Sequence, residues 1–462
     1  MLNYRQIEVM IMNIVIVGLG KYGTLLTSHL AKENHDIIVI DTNAKVIEEV
    51  VNQFDVKGYV GNGASYLTLE DAGVNKFDLL IATTSTDEVN ILTCLVAKKL
   101  KIKQTIARVR NPEYSLQAQM MQNELGISMT VNPDYNTALE IFRTIRFPSA
   151  LTVESFANGK VDLVEFKVDK DSLINNKSLI EIKDKYKTNL LFCAVVREEE
   201  VIIPNGNFVL KEGDYVYITV SARETTSSFK KINMFRQKSK TAMIIGGGKI
   251  TYYLAQMLID NGISIKIVEK DYDRCLALSQ AFPKALVLHG DATNHNLLLS
   301  EGVGEMGAFV TLTGQDETNI ILSTYAKECG CKKVITKITN GSYDLILDKT
   351  GLESVVEPKE LFANNIIRYV RGMKNSRGSE FKTLYRLVNN KVEASEFFIS
   401  KESKYTSIPL KDLKIKQNVL IAAIIRKNKV IIPSGLDTLE PLDSVIIVSS
   451  SYVIKDVNDI LE

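Results

Sequence analysis

Near the start of the chain, Gly18-Leu19-Gly20-Lys21-Tyr22-Gly23 has the residue types and spacing of a phosphate cradle. It follows an apolar run, Asn13 to Val17, and precedes a helical pattern from Thr24 to Lys32. In that setting each glycine has a physical task. Gly18 permits a tight turn, Gly20 lets a pyrophosphate approach the backbone, and Gly23 lets the helix pack close to the strand. The exposed N–H groups and the helix dipole then attract phosphate. Asp41 ends the next apolar run, 41 − 23 = 18 residues past the last glycine. A carboxylate there accepts hydrogen bonds from a ribose diol and repels a 2′-phosphate, which favours NAD or an adenine nucleotide over NADP.

The same chemistry is written again further along. Gly246-Gly247-Gly248-Lys249-Ile250 follows the run Thr241 to Ile245, and Glu269 takes the place of Asp41. Thr251 stands where a third glycine is expected, and its Cβ should push the helix slightly outward. Lys21 and Lys249 sit at equivalent places and would neutralise phosphate charge. Thr84-Ser85 and Thr313-Gly314 each follow a fourth strand, on the carboxyl edge where such sheets bind ligands. Arg108 is a candidate second phosphate contact, matched by Lys337; Arg110, two residues on and on the same face, is matched by Thr339. Gly61-Asn62-Gly63-Ala64 and Gly290-Asp291-Ala292-Thr293 close a third strand. There Asn62 and Asp291 either flank an adenine or make a plain β-turn. Asp87-Glu88 and Asp316-Glu317 read as acids that favour a helix N-terminus.

The elements that must position these residues are duplicated. Gly18 and Gly246 are 246 − 18 = 228 residues apart, as are Asp41 and Glu269 (269 − 41 = 228). Asp87-Glu88-Val89-Asn90 returns as Asp316-Glu317-Thr318-Asn319, and Ile203-Pro204-Asn205-Gly206 as Ile432-Pro433-Ser434-Gly435, both at an offset of 229. An offset this steady marks a tandem duplication with few insertions. The first part of each copy alternates Val/Ile-rich runs with helical patterns, the sign of βαβ units and a parallel sheet covered on both faces. The second part holds strictly alternating runs such as Asp162 to Val168, with turns at Asn205-Gly206 and Glu212-Gly213-Asp214. The expected fold is α/β: two tandem Rossmann-like doubly wound parallel-sheet domains, each followed by a small α+β domain. The expected boundaries are 12–150 and 151–225 for the first copy, 226–240 for a polar linker, and 241–375 and 376–462 for the second.

The bulk properties exclude several classes. At 462 residues the chain exceeds one ordinary core, and its net charge of +1 argues against a broad field for nucleic acid. The five cysteines are scattered, and Cys329-Gly330-Cys331 lacks the second ligand pair that zinc requires, so free thiols are expected. No run reaches the roughly 20 apolar residues of a membrane-spanning helix. The N-terminus has no signal-peptide layout, and Met10 or Met12 is a candidate start.

Taken in order, the glycine loop, the acid-ending strand, the Gly-Asp-Ala-Thr turn, the Asp-Glu-x-Asn helix, the Ala-Arg-Val-Arg strand and the Ile-Pro-x-Gly and Gly-Asp turns resemble the regulator-of-potassium-conductance (RCK) family. The resemblance covers essentially the whole chain, in the doubled arrangement that some members carry. It implies a cytoplasmic, peripheral regulatory subunit that binds NAD(H) and, as in several members, ATP or ADP. It also implies a homo-oligomeric ring, expected to be a tetramer, docked under a membrane potassium translocator of the TrkH/TrkG type. Carried over by position, the ligand residues would be Gly18 to Tyr22, Asp41, Thr84, Ser85 and Arg108, then Gly246 to Ile250, Glu269, Thr313 and Lys337. Asn62, where the family often has Asp, and Thr251, where it often has Gly, are departures.

The first motif alone would equally suit a nicotinamide-dependent dehydrogenase. Hydride transfer needs a general acid or base poised near the nicotinamide. His29, His35, His289 and His295 have no counterparts at the repeat offset, and the small domains contain none. A regulator is therefore expected rather than an enzyme, with cyclic-dinucleotide sensing through the small domains as a further alternative. Arg143, Arg146, Arg368 and Arg371 lie on the helices leaving each dinucleotide domain, and only Arg143 and Arg371 match at the repeat offset (371 − 143 = 228).

Overall fold

In the computed structural model of the protein, residues 11–147, 150–157, 159–198, 200–234, 239–352, 354–373, 379–387, 391–450 and 454–462 are described. The candidate start at Met10 lies outside them; Met12 is buried.

The first copy opens with β1 (Asn13–Val17), β2 (Asp36–Asp41), β3 (Lys57–Val60), β4 (Leu79–Ala82), β5 (Gln104–Arg108) and β6 (Met129–Val131). They form one parallel sheet in the order β3-β2-β1-β4-β5-β6. The central strands are continuously apolar because helices cover both faces: Ile14 to Ile16 and Leu79 to Ala82 have no exposed surface. After β3, at one edge, the chain returns beside β1, so the change in winding direction falls between β1 and β4. The crevice at the carboxyl ends of those two strands is where such sheets bind ligands.

A small domain follows. β7 (Val153–Phe156), β8 (Val161–Lys167), β9 (Leu191–Arg197), β10 (Glu200–Ile202) and β11 (Tyr215–Ser221) make an antiparallel sheet in the order β10-β9-β11-β8-β7. Its helix Leu179–Tyr186 starts with a capping box, in which Ser178 and Glu181 each bond the other's backbone N–H and satisfy two otherwise orphaned donors. Residues 225–231, at the head of the stretch expected to link the copies, form a second helix. Its Phe229 packs on Phe166 with ring centroids 4.6 Å apart, inside the small-domain core. Residues 235–238 of that stretch lie outside those described.

The second copy repeats the plan. β12 (Thr241–Ile245), β13 (Ser264–Glu269), β14 (Leu286–His289), β15 (Ala308–Thr311), β16 (Val334–Lys337) and β17 (Val355–Val356) pair in the order β14-β13-β12-β15-β16-β17. β18 (Ser379–Leu387), β19 (Val392–Ile399), β20 (Val419–Arg426), β21 (Lys429–Ile431) and β22 (Ser444–Ser449) form the second antiparallel sheet, in the order β18-β19-β22-β20-β21. One divergence is local: where the first small domain has the helix Leu179–Tyr186, the second has the 3-10 turn Leu410–Asp412.

Sheet register corrects one sequence expectation. Arg108 pairs with Val131, and Lys337 with Val356, so the offset falls from 337 − 108 = 229 to 356 − 131 = 225. The second copy is four residues shorter between those strands (229 − 225 = 4). The exit helices Pro133–Arg146 and Pro358–Met373 therefore align at 225, which matches Arg143 with Arg368 and Arg146 with Arg371 rather than Arg143 with Arg371.

The chain divides into two compact units, Met1–Thr137 with Glu357–Ile367, and Ala138–Val356 with Arg368–Glu462. The first parallel sheet thus shares its unit with the first turns of the helix that leaves the second sheet. In the other unit the two small sheets share a core, with Phe156, Leu163 and Ala194 in one cluster with Ala394, Ala422 and Ile446.

Candidate functional site

The backbone at the end of β1 accounts for the first two loop glycines. Gly18 has φ +91°, and a Cβ there would lie 2.7 Å from the Thr84 amide nitrogen. Only glycine combines that dihedral with that approach of strand ends. Gly20 caps the helix Lys21–Lys32 with no side-chain hydrogen bond, and a Cβ on it would meet nothing within 4 Å. The helix N-terminus therefore faces open space with its first N–H groups uncapped by any side chain, the arrangement that receives phosphate. Gly248 repeats this at the head of the helix Lys249–Asp260.

The acids are fixed by the loops they face. Asp41 accepts from the Leu19 N–H at 2.6 Å and the Asn43 N–H at 2.9 Å. Glu269 accepts from Gly247 at 2.5 Å and Asp271 at 2.8 Å. The longer glutamate is accommodated because the loop residue it meets is Gly247, where a Cβ would lie 3.0 Å from its Oε2, whereas the first copy has Leu19 and the shorter Asp41.

The third loop position is solved in two ways. In the first copy a Cβ at Gly23 would sit 2.0 Å from the Gly18 carbonyl oxygen, which accepts from the Thr83 hydroxyl at 2.7 Å. In the second, Leu312 replaces Thr83, and the Thr251 hydroxyl itself donates to the Gly246 carbonyl at 2.5 Å. The threonine expected to be a steric fault also supplies the hydrogen bond that Leu312 cannot make. Above Gly246 the crevice is wider, its nearest neighbour being 3.1 Å from a Cβ.

At the far side of each crevice lies a network that the sequence did not announce. Asn90 is fully buried; its Oδ1 accepts from the Thr84 N–H and hydroxyl, each at 2.7 Å, and its Nδ2 donates to the carbonyls of Thr84 and Arg108. The Arg108 guanidinium closes the ring by donating to the Thr84 carbonyl at 2.6 Å. Asn319, Thr313 and Lys337 repeat the pattern, with Lys337 Nζ donating to the Thr313 carbonyl at 2.5 Å. The signal was present in the Asp-Glu-x-Asn repeat, but the partners of its asparagine come together only in the fold. The aspartates of that repeat do more than favour a helix. Asp87 accepts from the N–H groups of Arg110 and Asn111, and Asp316 from those of Thr339 and Asn340, anchoring the loops after β5 and β16.

Electrostatically the crevices differ. Arg108 is only 5% exposed, its Nε has no hydrogen-bond partner, and no carboxylate among the described residues pairs with it. Burial and the neighbouring Arg110 hold its pKa below the ordinary arginine value. Its Cζ lies 5.0 Å from the centroid of the Tyr22 ring. Arg110 is ion-paired with Asp134 at 2.7 Å; burial pulls its pKa down, but the Asp134 bond prevails and raises it. Burial, then Asp134, raises the Tyr22 phenol. Ile250 and Lys337 replace Tyr22 and Arg108 in the second crevice.

Other expected residues lie at the rims. Lys21, Lys249 and Ser85 are exposed. Asn62 accepts from the Ala64 N–H at 3.0 Å and Asp291 from the Thr293 N–H at 2.9 Å, so both make side-chain-closed turns after β3 and β14. The histidines are engaged elsewhere. His29 contacts Glu360 at 3.1 Å, His35 accepts from the Met12 N–H, His289 bonds the Lys270 carbonyl, and His295 stacks on Tyr325. Among the described residues there is no cluster suited to a metal, and no helix is long and apolar enough to cross a membrane.

The TrkA-N domain family matches residues 14–133 and 242–358, and the TrkA-C domain family matches 163–231 and 394–462. The chain is 31% identical to a Trk system potassium uptake protein TrkA homolog of Archaeoglobus fulgidus, over 97% of this chain and 100% of that protein. It is 30% identical to the Trk system potassium uptake protein TrkA of Halomonas elongata, over 97% and 96%. Among solved structures, the GsuK channel bound to NAD aligns with a TM-score of 0.63 at 17% identity, over 96% of this chain and 77% of that one. The GsuK RCK domain aligns with the same score at 16% identity, over 96% and 93%. At those identities the likeness is one of fold.

Proposed function

The chain belongs to the family of Trk-system potassium uptake proteins built from TrkA-N and TrkA-C domains, and from that premise we propose that it is a cytoplasmic regulatory subunit that binds NAD(H) or an adenine nucleotide and gates a membrane potassium translocator. The observation that carries this reading is the pair of open, side-chain-uncapped helix N-termini, each facing a threonine–asparagine–cation clamp across the crevice. In the first site a buried guanidinium, with an unpaired Nε and no carboxylate partner among the described residues, is placed to receive an anion. The ligand residues are those read from the sequence, with Asn90 and Asn319 holding the clamps in place.

A regulator uses such sites by differential affinity. A nucleotide that binds one arrangement of the domains more tightly shifts the population toward it, typically by about 1–3 kcal/mol of coupling per site. Several sites in a ring sum to enough to move a gate, so the reading includes a homo-oligomeric ring and a TrkH/TrkG-type partner. The likeness to the GsuK channel, a structure described with NAD, supports a dinucleotide as one ligand, and the Trk system potassium uptake proteins that the chain resembles support a role beside a potassium pathway. The regulatory reading, rather than hydride transfer, follows the TrkA relatives that the chain resembles.

Equilibrium titration of the purified chain with NADH, NADPH, ATP and ADP, beside Asp41→Ala and Glu269→Ala, tests the reading. Binding of NADH or an adenine nucleotide that each variant weakens about tenfold or more, without turnover, is the expected outcome. Preference for NADPH, or binding that ignores both variants, would sink it.

A further inference from the structure

The first crevice contains a buried cation whose support is unusual. Arg108 donates to the Thr84 carbonyl and lies against the Tyr22 ring, but it pairs with no carboxylate among the described residues. The nearby acids are committed elsewhere: Asp134 is bonded to Arg110, and Asp87 accepts from the N–H groups of Arg110 and Asn111. Holding a guanidinium in such a place requires either an anion or a well-oriented π-face.

The ring that supplies this face is itself held by a residue from the other copy. Phe362, fully buried on the helix that leaves the second sheet, meets Tyr22 edge-on with ring centroids 5.1 Å apart. His29 on the loop helix also contacts Glu360, two residues before Phe362, at 3.1 Å. Both contacts lie inside one compact unit, which includes Glu357–Ile367. The corresponding positions differ in kind: Ile250 and Lys337 of the second copy stand for Tyr22 and Arg108, and at the offset of 225 Thr137 of the first copy's exit helix stands for Phe362.

We infer that Tyr22 and Phe362 are positioning residues for Arg108, so that the helix leaving the second copy completes the first nucleotide site and fixes the guanidinium that receives the ligand's phosphate. This rests on the nucleotide-binding reading above. Phe362 fixes the orientation of the Tyr22 ring, the ring fixes Arg108 beside the Thr84 carbonyl, and ligand affinity at the first site then depends on a residue 362 − 22 = 340 positions away.

The test is calorimetric titration of the full chain with ADP, in a Glu269→Ala background so that the first site is read. Phe362→Leu and Tyr22→Leu should each weaken ADP by roughly 3- to 10-fold. In an Arg108→Gln background the Phe362→Leu loss should vanish, because the cycle then has no cation left to position. Phe362→Trp should keep near-normal affinity, and as the sole tryptophan of a chain that has none its emission should shift when ADP binds. Phe362→Leu binding ADP as tightly as its parent, or losing affinity equally with and without Arg108, overturns the inference and leaves Phe362 a packing residue. If Phe362→Leu does not fold, the same cycle with Tyr22→Leu decides. If the parent binds neither ADP nor NAD, or Asp41→Ala changes nothing, the site reading itself falls; binding that Asp41→Ala abolishes and Phe362→Leu spares sinks only the positioning role.

Discussion

The two crevices use one framework and fill it differently. Both hold an acid on two backbone N–H groups, both bury an asparagine that ties a threonine to the neighbouring strand, and both anchor the following loop on an aspartate. They diverge in matched sets. Leu19 with Asp41 becomes Gly247 with Glu269; Gly23 with Thr83 becomes Thr251 with Leu312; Tyr22 with Arg108 becomes Ile250 with Lys337. Two of these exchanges conserve a contact, since the acid still reaches the loop and the loop carbonyl still receives a hydroxyl. The third changes the chemistry, replacing a planar, buried, aromatic-backed guanidinium with a flexible ammonium. The exchanges that face the backbone are compensated, whereas the exchange at Tyr22 and Arg108 is not.

The largest effect should come from breaking one matched pair. Gly23→Thr alone drives a Cβ into the Gly18 carbonyl and should destabilise the first unit by about 3 kcal/mol or more. Adding Thr83→Leu, which recreates the second copy's pair, should recover at least about 1 kcal/mol through non-additivity. Strictly additive denaturant midpoints would show that the pairing is accidental.

Next in size are the shared asparagines. Asn90→Ala and Asn319→Ala each leave buried backbone groups short of a partner and should each cost about 2–3 kcal/mol. Because the networks match bond for bond, similar thermal shifts are expected for both; a large cost at one and none at the other would show that only one clamp is a framework element.

The smallest effect concerns an acid that only one copy has. Burial pushes Glu154 on β7 up to about 7, against the opposing pull of Arg143 and Arg368, the equivalent arginines of the two exit helices. The matching place in the second copy, opposite Ala394 as Glu154 is opposite Leu163, is Tyr385. A carboxyl whose folded pKa is raised favours the native state below its unfolded value near 4.5, and that stabilisation is lost as pH rises through about 7. Glu154→Gln should therefore match the parent at pH 4 and exceed it at pH 8, by on the order of 1 kcal/mol. Parallel melting curves across that range would remove the acid from the comparison.

Much of this was legible in the residues. Gly18, Gly20, Asp41 and their second-copy equivalents announced two parallel sheets and the crevices at their edges, because turn conformation and strand alternation are local consequences of residue type. The repeat also carried Asn90 and Asn319 in plain view, but not their purpose, since Thr84 and Arg108 reach Asn90 only when β4 and β5 lie side by side. The register slip between β5 and β6 was hidden for a related reason. It falls in a stretch of short helices and turns whose length no periodicity constrains, so only strand register shows which exit-helix arginines correspond.

The sequence by itself therefore determined the duplication, the parallel sheets, the glycine loops and the acids, all properties written within a strand, a turn or a helix. Only the tertiary structure decided that Arg108 is buried, that the Thr251 hydroxyl serves as a donor to the Gly246 carbonyl, and that Phe362 meets Tyr22. Each of those depends on which surfaces pack together once apolar faces leave water. That choice is made by the whole core and cannot be read from any one segment.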